Sequence, residues 1–140
     1  MKYNTKIRYG IRAMLEIALA EPEKGILQKD ISDRQKISVK YLDNIIASLK
    51  TAGLITTTRG KKSGYRVTRK PGEIRIIDIY RAFEPEIAIV DCMSCNHVCD
   101  FSASCGAKPF WTGLNTIITE YFQSNTLEDL IKNHREKQLN

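Results

Sequence analysis

Four cysteines lie within one stretch of 14 residues in the second half of the chain. They are Cys92, Cys95, Cys99 and Cys105, and His97 lies among them. Thiolates gathered in one loop repel one another, and a metal centre removes that cost by taking up their charge. A secreted disulfide scaffold would instead spread its cysteines along the chain and would normally follow a signal peptide. The clustering therefore indicates a metal site or redox chemistry.

The spacing Cys-x2-Cys-x3-Cys-x5-Cys leaves the kind of site open. A Cys-x2-Cys pair suits zinc, an iron–sulfur cluster or a redox disulfide. A redox disulfide would require a strand–turn–helix context, and none is visible around Cys92. Zinc ribbons prefer two Cys-x2-Cys knuckles, whereas the second pair here is separated by five residues. Spacing alone favours iron–sulfur and zinc equally, with an inert or disulfide-forming loop as the third hypothesis.

The cysteines belong to a long segment without regular pattern, residues 85–108, which is typical of a functional or disordered loop. Before it, residues 74–84 predict a short amphipathic helix that follows a break at Pro71 and Gly72. After it, Pro109 can begin another helix. The apolar residues of that helix are Phe110, Trp111, Leu114, Ile117, Ile118, Tyr121 and Phe122.

This apolar surface is wider than a small core needs from one helix. We therefore expect a second copy of the chain to bury the remainder, which makes the protein a homodimer. The alternative is a monomer in which the helix packs over the first helix of the chain. Thr126 and Asp129 predict the start of a final short helix, and the polar tail HREKQLN is expected to fray.

The first half of the chain predicts three helices. Residues 5–20 carry apolar side chains at helical spacing, and residues 28–35 form a plausible second helix. Ser38 can cap a third helix that ends near residue 52, before Gly53. The inward stripe of the third helix is Leu42, Ile45, Ile46 and Leu49. Its outward residues are Lys40, Tyr41, Asp43, Asn44, Ala47 and Ser48.

A basic hairpin is predicted after the third helix. Residues 54–58 and 65–68 are rich in β-branched and aromatic residues, and they flank the turn from Arg59 to Gly64. Two helices followed by such a hairpin are typical of a winged helix–turn–helix, which places a helix in the DNA major groove and a wing arginine in the minor groove. The alternative is a small α+β domain whose hairpin happens to be basic.

Positive charge is concentrated in the same half. Residues 1–70 contain 16 Lys and Arg against 6 Asp and Glu, whereas residues 71–140 contain 6 against 10. No acidic residue lies between Asp43 and Glu73. A field of one sign indicates a polyanionic partner, and double-stranded DNA fits this charge and element order. For charge alone, a solvated basic face is the alternative.

These patterns predict a mainly α chain with a small β-hairpin wing, in three parts. They are a winged helix–turn–helix over residues 1–72, a linker helix and cysteine-rich loop over 73–108, and a dimerisation helix with a C-terminal helix over 109–140. No apolar run approaches the roughly 20 residues that cross a bilayer. With no signal-peptide stretch at the start, we expect a cytoplasmic protein without a membrane partner. The two histidines, His97 and His134, accompany no nucleophile or phosphate-loop motif, so we expect no enzyme.

Three stretches resemble a known family of bacterial winged-helix regulators: MKYNTKIRYGIRAMLEIAL, DISDRQKISVKYLDNIIASLKTAGLI and TTRGKKSGYRVT. The family is typified by IscR and NsrR, with the cysteine-metabolism regulator CymR as a relative. The similarity continues through the cysteine loop into FWTGLNTIITEYFQSNTLEDLI. It implies a transcriptional regulator that dimerises through a long helix and binds a palindromic operator. The DNA-contacting residues would be Ser38, Lys40, Tyr41, Asp43, Asn44, Arg59, Gly60, Lys61 and Lys62.

The same resemblance implies an iron–sulfur cluster, with [2Fe-2S] favoured and [4Fe-4S] as the alternative. Its ligands would be Cys92, Cys99 and Cys105. The gap between Cys99 and Cys105 matches the family pattern, and the gap between Cys92 and Cys99 is one residue longer than in IscR-like proteins.

The fourth ligand departs from the family. Lys108 stands where IscR-like proteins have a histidine, and Arg8 stands where NsrR-like proteins have an acidic residue. Cys95 is therefore the first candidate and His97 the second. The alternative is that Cys95 is a bystander and that a small molecule or solvent completes the site.

The resulting hypothesis is a regulator whose operator affinity is switched by the cluster, with a coupling of about 1–3 kcal/mol. One alternative keeps DNA binding with a structural zinc, and another keeps it with sensing through thiols or a partner protein. An electron-transfer protein is a further alternative, but it leaves the acid-free basic stretch unexplained.

Overall fold

The computed structural model describes residues 3–60, 62–94, 99–101 and 103–140. The chain forms helices α1 (Thr5–Leu19), α2 (Gln28–Gln35) and α3 (Val39–Thr51), then strands β1 (Ile55–Thr57) and β2 (Tyr65–Val67), and finally helices α4 (Ile76–Arg81), α5 (Lys108–Ser124) and α6 (Leu127–Leu139). Single 3-10 turns lie at Pro71–Glu73 and Asp91–Met93. The predicted mainly α fold with a small hairpin is confirmed. In the described ranges, no helix is long and apolar enough to span a membrane.

The three N-terminal helices pack around one apolar core, with the third helix as its centre. The predicted inward stripe of α3 is fully confirmed, because Leu42, Ile45, Ile46 and Leu49 are all buried. Ser38 caps α3 by accepting a hydrogen bond from the backbone N–H of Tyr41 at 3.1 Å. Between α2 and α3 the chain reverses at Lys36, which has a φ of 55°. This tight turn holds the two helices as a helix–turn–helix.

The hairpin is anchored to the linker between α1 and α2. Strands β1 and β2 pair antiparallel, with Thr56 opposite Arg66. Ile26 and Tyr65 add two backbone hydrogen bonds, of 3.0 and 2.8 Å, that fix the hairpin to this linker. Gly64 lies so close to the linker that a Cβ atom there would be 2.6 Å from the backbone nitrogen of Ile26.

Helix α4 is shorter than the helix predicted over residues 74–84. It covers six residues, and four of them, Ile76, Ile77, Ile79 and Tyr80, are buried. Ile76 and Ile79 belong to the main core, whereas Ile77 and Tyr80 belong to a second cluster with Ile7 and Ile87. The helix is therefore not amphipathic, because it lies between two apolar clusters.

Helix α6 returns to the core of the first half. Leu127 and Ile131 are buried, and Leu127 belongs to the same cluster as the α3 stripe. Thr126 and Asp129 form the predicted start of the helix through a reciprocal pair of cap hydrogen bonds. The expectation that the tail frays is wrong, because α6 continues to Leu139.

Replacing Gly64 with alanine should destabilise the fold by about 1–3 kcal/mol, because the new methyl group meets backbone that must move. Urea denaturation followed by circular dichroism measures the change. Gly106→Ala is the control, since a Cβ there has no neighbouring atom within 4 Å. Equal stability of both variants would show that the linker yields and that the hairpin is loosely held.

Candidate nucleic-acid interface and cysteine loop

Helix α3 presents a polar surface on the side away from the core. Lys40, Asp43 and Asn44 are exposed, and Ser38 is exposed at the N-terminus of the helix. These are side chains that donate to or accept from base edges and phosphates. The predicted outward position is confirmed for Lys40, Asp43, Asn44 and Ala47, whereas Ser48 is half-buried.

Gln28, which sequence reasoning did not single out, orients one of these residues. Its side-chain amide donates to the Asp43 carboxylate at 2.6 Å and to the Val39 carbonyl oxygen at 3.1 Å. The first residue of α2 therefore fixes the acidic group of α3. Because the contact joins side chains 15 residues apart in the sequence, no local sequence pattern predicts it.

Tyr41 does not face outward as predicted. It is half-buried and packs against the main core. Its ring meets that of Tyr9 edge to face, with centroids 5.5 Å apart, and the Arg12 guanidinium lies 5.3 Å from the centroid of Tyr9. Tyr41 thus links the first turn of α3 to α1, because a large aromatic ring at this position is covered by α1.

A buried polar network, also missed from the sequence, fixes α2 to α1. The Glu16 carboxylate is buried and accepts hydrogen bonds from Gln35 at 2.5 Å and Arg34 at 3.3 Å. Arg12 donates to the side-chain oxygen of Gln35 at 2.8 Å and to its backbone carbonyl. Since buried carboxylates are costly without such partners, the network specifies the angle between the two helices.

The tip of the hairpin is basic and exposed. Arg59, Gly60 and Lys62 are all exposed, and Gly60 has a φ of 119°, which only glycine adopts without strain. Lys61 lies outside the described residues. Further exposed cations lie on the same hairpin and just after it, namely Arg66, Arg69 and Lys70. The exposed cations of the hairpin are suited to contacts with a polyanion.

The cysteine loop begins after α4 and ends at α5. Cys92 lies in the 3-10 turn Asp91–Met93, and Cys105 lies three residues before the start of α5. Cys92, Cys99 and Cys105 are half-buried free thiols. Cys95 and His97 lie outside the described residues. Within the ranges that are described, no three His, Cys, Asp or Glu side chains are grouped as metal ligands.

Asn115 in the middle of α5 holds the entrance to this loop. Its side-chain oxygen accepts from the backbone N–H of Ile89 at 3.0 Å, and its amide donates to the carbonyl of Ile87 at 2.9 Å. One turn earlier, the Thr112 hydroxyl contacts the sulfur of Met93 at 3.7 Å. The segment next to Cys92 is therefore bound to α5 at two positions, Thr112 and Asn115.

A helix–turn–helix followed by a basic hairpin defines a winged-helix DNA-binding protein. Residues 3–133 match the Rrf2 family, described as an iron-dependent transcriptional regulator. The chain therefore belongs to the Rrf2 family of transcriptional regulators, which are DNA-binding proteins and not enzymes.

Individual relatives agree with this assignment. The protein rrf2 of Nitratidesulfovibrio vulgaris is 37% identical over 132 residues, which are 94% of this chain and 88% of that protein. The structure of T. potens IscR matches with a TM-score of 0.79 at 33% identity, over 99% of this chain and 91% of that one. CymR, the global cysteine regulator of B. subtilis, matches with a TM-score of 0.79 at 30% identity, over 95% and 98%. The family resemblance inferred from the sequence is confirmed.

Replacing Arg59 with alanine should weaken DNA binding and reduce the slope of log affinity against log salt by about 0.9, the value for one lost phosphate contact. Fluorescence anisotropy with a duplex selected by the protein from a random library measures both quantities. Arg135→Ala is the control, because it removes the same charge from an exposed position on α6. An unchanged slope for Arg59→Ala would show that the wing does not dock on the backbone.

Proposed function

We propose that this regulator binds a palindromic operator as a homodimer and that an iron–sulfur cluster in the cysteine loop sets its affinity. The observation that carries the proposal is the loop itself, with three free thiols on a segment tied to α5. In the proposed complex, α3 enters the major groove with Lys40, Asp43 and Asn44, and Arg59 enters the minor groove. Tyr41 contributes by bracing the helix, since its ring is packed on Tyr9.

The donor chemistry of the loop fits an iron–sulfur cluster. Cysteine thiolates are the usual ligands of such clusters, and Cys92, Cys99 and Cys105 would supply three of them. The cluster would supply a redox-sensitive and oxygen-sensitive metal centre. Among the described residues no three such side chains are grouped as the ligands of a single metal ion. We propose [2Fe-2S] rather than [4Fe-4S], with Cys95 as the first candidate for the fourth ligand and His97 as the second.

Movement of the loop would act on α5 through Asn115. The two hydrogen bonds of Asn115 hold residues on either side of Ala88, so the backbone there cannot shift without pulling on the helix. Ile118 and Phe122, further along α5, pack against the cluster that contains Ile7 of α1. A change in the loop can therefore alter the position of α5 relative to the DNA-binding helices.

The exposed side of α5 supports a dimer. The exposed fractions of Phe110, Ile117 and Tyr121 are 66%, 64% and 68%, which is unusual for large apolar side chains on one helix. In this single chain α5 has no fully buried residue. A second α5 packed against this side would bury the three residues and would set the distance between two recognition helices.

A second candidate function is thiol sensing without a cluster. It is favoured by the same free and half-buried thiols, since accessible thiols in one loop can oxidise to a disulfide. The likeness to both IscR and CymR is compatible with either chemistry. A structural zinc is the third possibility that the loop chemistry permits.

The cluster proposal predicts brown protein when the chain is purified without oxygen, with iron and acid-labile sulfide in equal amounts. Absorption spectroscopy and chemical analysis per chain make the measurement. Single replacements of Cys92, Cys99 and Cys105 by alanine should each reduce the iron content strongly, and Cys95→Ala and His97→Ala test the fourth ligand. Ser104→Ala, in the same loop, is the control.

Colourless protein that stays empty after reconstitution would contradict the cluster. Bound zinc would then support the structural site, and loss of free thiols on mild oxidation would support thiol sensing. Equal DNA affinity of the loaded and cluster-free protein, at one salt concentration, would contradict the switch while leaving the cluster in place.

The dimer proposal predicts that Ile117→Asp weakens self-association by at least roughly tenfold, because it places a charge in an apolar interface. Sedimentation velocity over a range of concentrations measures the effect. Leu139→Asp is the matched control, since Leu139 is 87% exposed at the end of α6. If Ile117→Asp sediments like the unaltered protein, this side of α5 is not the interface.

A further inference from the structure

One side chain of α2 reaches across to the exposed surface of α3. Gln28 is the first residue of α2 and is half-buried. Its Nε2 atom donates to the Asp43 carboxylate at 2.6 Å and to the Val39 carbonyl oxygen at 3.1 Å. Both partners are acceptors, so the nitrogen of the amide must face them. Val39 and Asp43 are four residues apart and lie on one side of α3, which allows a single amide group to reach both.

This contact orients the Asp43 carboxylate without neutralising it. Asp43 is exposed, and Gln28 binds its Oδ1 atom. In the described part of the chain, no Lys or Arg forms an ion pair with this carboxylate, and it accepts no second hydrogen bond. Since the Gln28 amide is uncharged, the negative charge remains and the Oδ2 atom keeps its capacity to accept.

A negative charge at this place opposes DNA binding in general. Asp43 is the only acidic residue of α3, and the next acidic residue along the chain is Glu73. The cations of this half attract phosphates, whereas the carboxylate repels them. Specificity is a difference of affinities, and a repulsive group increases it by penalising the wrong partner more than the right one. The oriented carboxylate therefore fits a role in selecting sequence rather than in raising affinity.

The base that such a carboxylate selects follows from the groups that bases present in the major groove. Cytosine presents an amino donor there, whereas guanine and thymine present acceptors that a carboxylate repels. Adenine presents a donor beside an acceptor and is intermediate. A carboxylate held in one orientation discriminates more sharply than one that rotates, because it cannot turn away from the wrong base.

We propose that Gln28 is a positioning residue that sets the base preference of α3, because it holds the Asp43 carboxylate so that the carboxylate accepts from a cytosine amino group in each half-site. The inference rests on the placement of α3 in the major groove that is proposed above. Gln28 acts through Asp43 and needs no contact of its own with DNA. The inference is independent of the metal or thiol chemistry of the cysteine loop.

The base preference at every position of the binding site tests the inference. The full chain and its variants, purified without oxygen and compared at equal iron content, select duplexes from one randomised library, and sequencing gives the relative affinity for each base. We expect one position in each half-site at which the unaltered protein prefers cytosine to guanine. Asp43→Asn and Gln28→Met should each reduce this preference by about tenfold and leave the other positions unchanged.

The double variant separates positioning from a general structural role. In the Asp43→Asn background, Gln28→Met should cause no further change at the cytosine position, because Gln28 acts through the carboxylate. A loss of preference at all positions in Gln28→Met would show that Gln28 only holds α2 against α3, and it would overturn the inference. Gln138→Met is the matched control, since Gln138 is exposed on α6, and it should leave every preference unchanged.

Asn44→Ala distinguishes failure of this inference from failure of the proposed DNA complex. If Asn44→Ala changes base preferences and Gln28→Met changes none, α3 reads the major groove and the inference about Gln28 is overturned. If neither Asn44→Ala nor Asp43→Asn changes any preference, the placement of α3 is wrong and the inference falls with it.

Discussion

Helix α5 is fixed to the rest of the chain in its middle and at its end, and the C-terminal half of the structure depends on this constraint. After its last turn, the backbone of residues 125–127 pairs with that of residues 74–76 through two hydrogen bonds of 2.9 Å. Leu127 then enters the main core. In its middle, Asn115 binds the backbone at Ile87 and Ile89. Held in this way, α5 turns Ile118 and Phe122 toward its own chain and leaves Phe110, Ile117 and Tyr121 exposed.

The DNA-binding half is held just as firmly, and α1 is the element that the two halves share. Glu16 and Arg12 fix α2, and Tyr9 supports the first turn of α3 through Tyr41. Near the start of α1, Ile7 belongs to the same apolar cluster as Ile77 and Tyr80 of α4. Side chains of α5 pack against this cluster. Packed side chains therefore connect α5 through α1 to α3, the recognition helix, and a displacement of α5 can be transmitted along them. This path gives the proposed switch a physical basis, and measured coupling between the loop and DNA binding would establish it.

The parts of the fold that could be predicted from the sequence are those that depend on residues close together in the chain. The bounds of α2, the Ser38 cap and the buried stripe of α3 follow from helical periodicity and capping chemistry, which act within a few residues. The network around Glu16 and the clamp of Asn115 could not be predicted, because they join polar side chains to groups 18 to 28 residues away. Tyr41 shows the same limit from the apolar side. Helical periodicity alone predicted an outward position for Tyr41, whereas its contact with Tyr9 depends on the tertiary packing of α1 against α3.

In the proposed function, the residues that sense the signal differ from those that transmit its effect. In the described conformation Cys92, Cys99 and Cys105 are free thiols, and cluster binding and disulfide formation would both use them. In both reactions Cys92 would take part, and the short segment before Cys92 is bound by Asn115. A loop of this kind can change its chemistry while the helices that transmit its state stay the same. One winged-helix scaffold can thereby serve regulators with different signals, because only the loop residues have to differ.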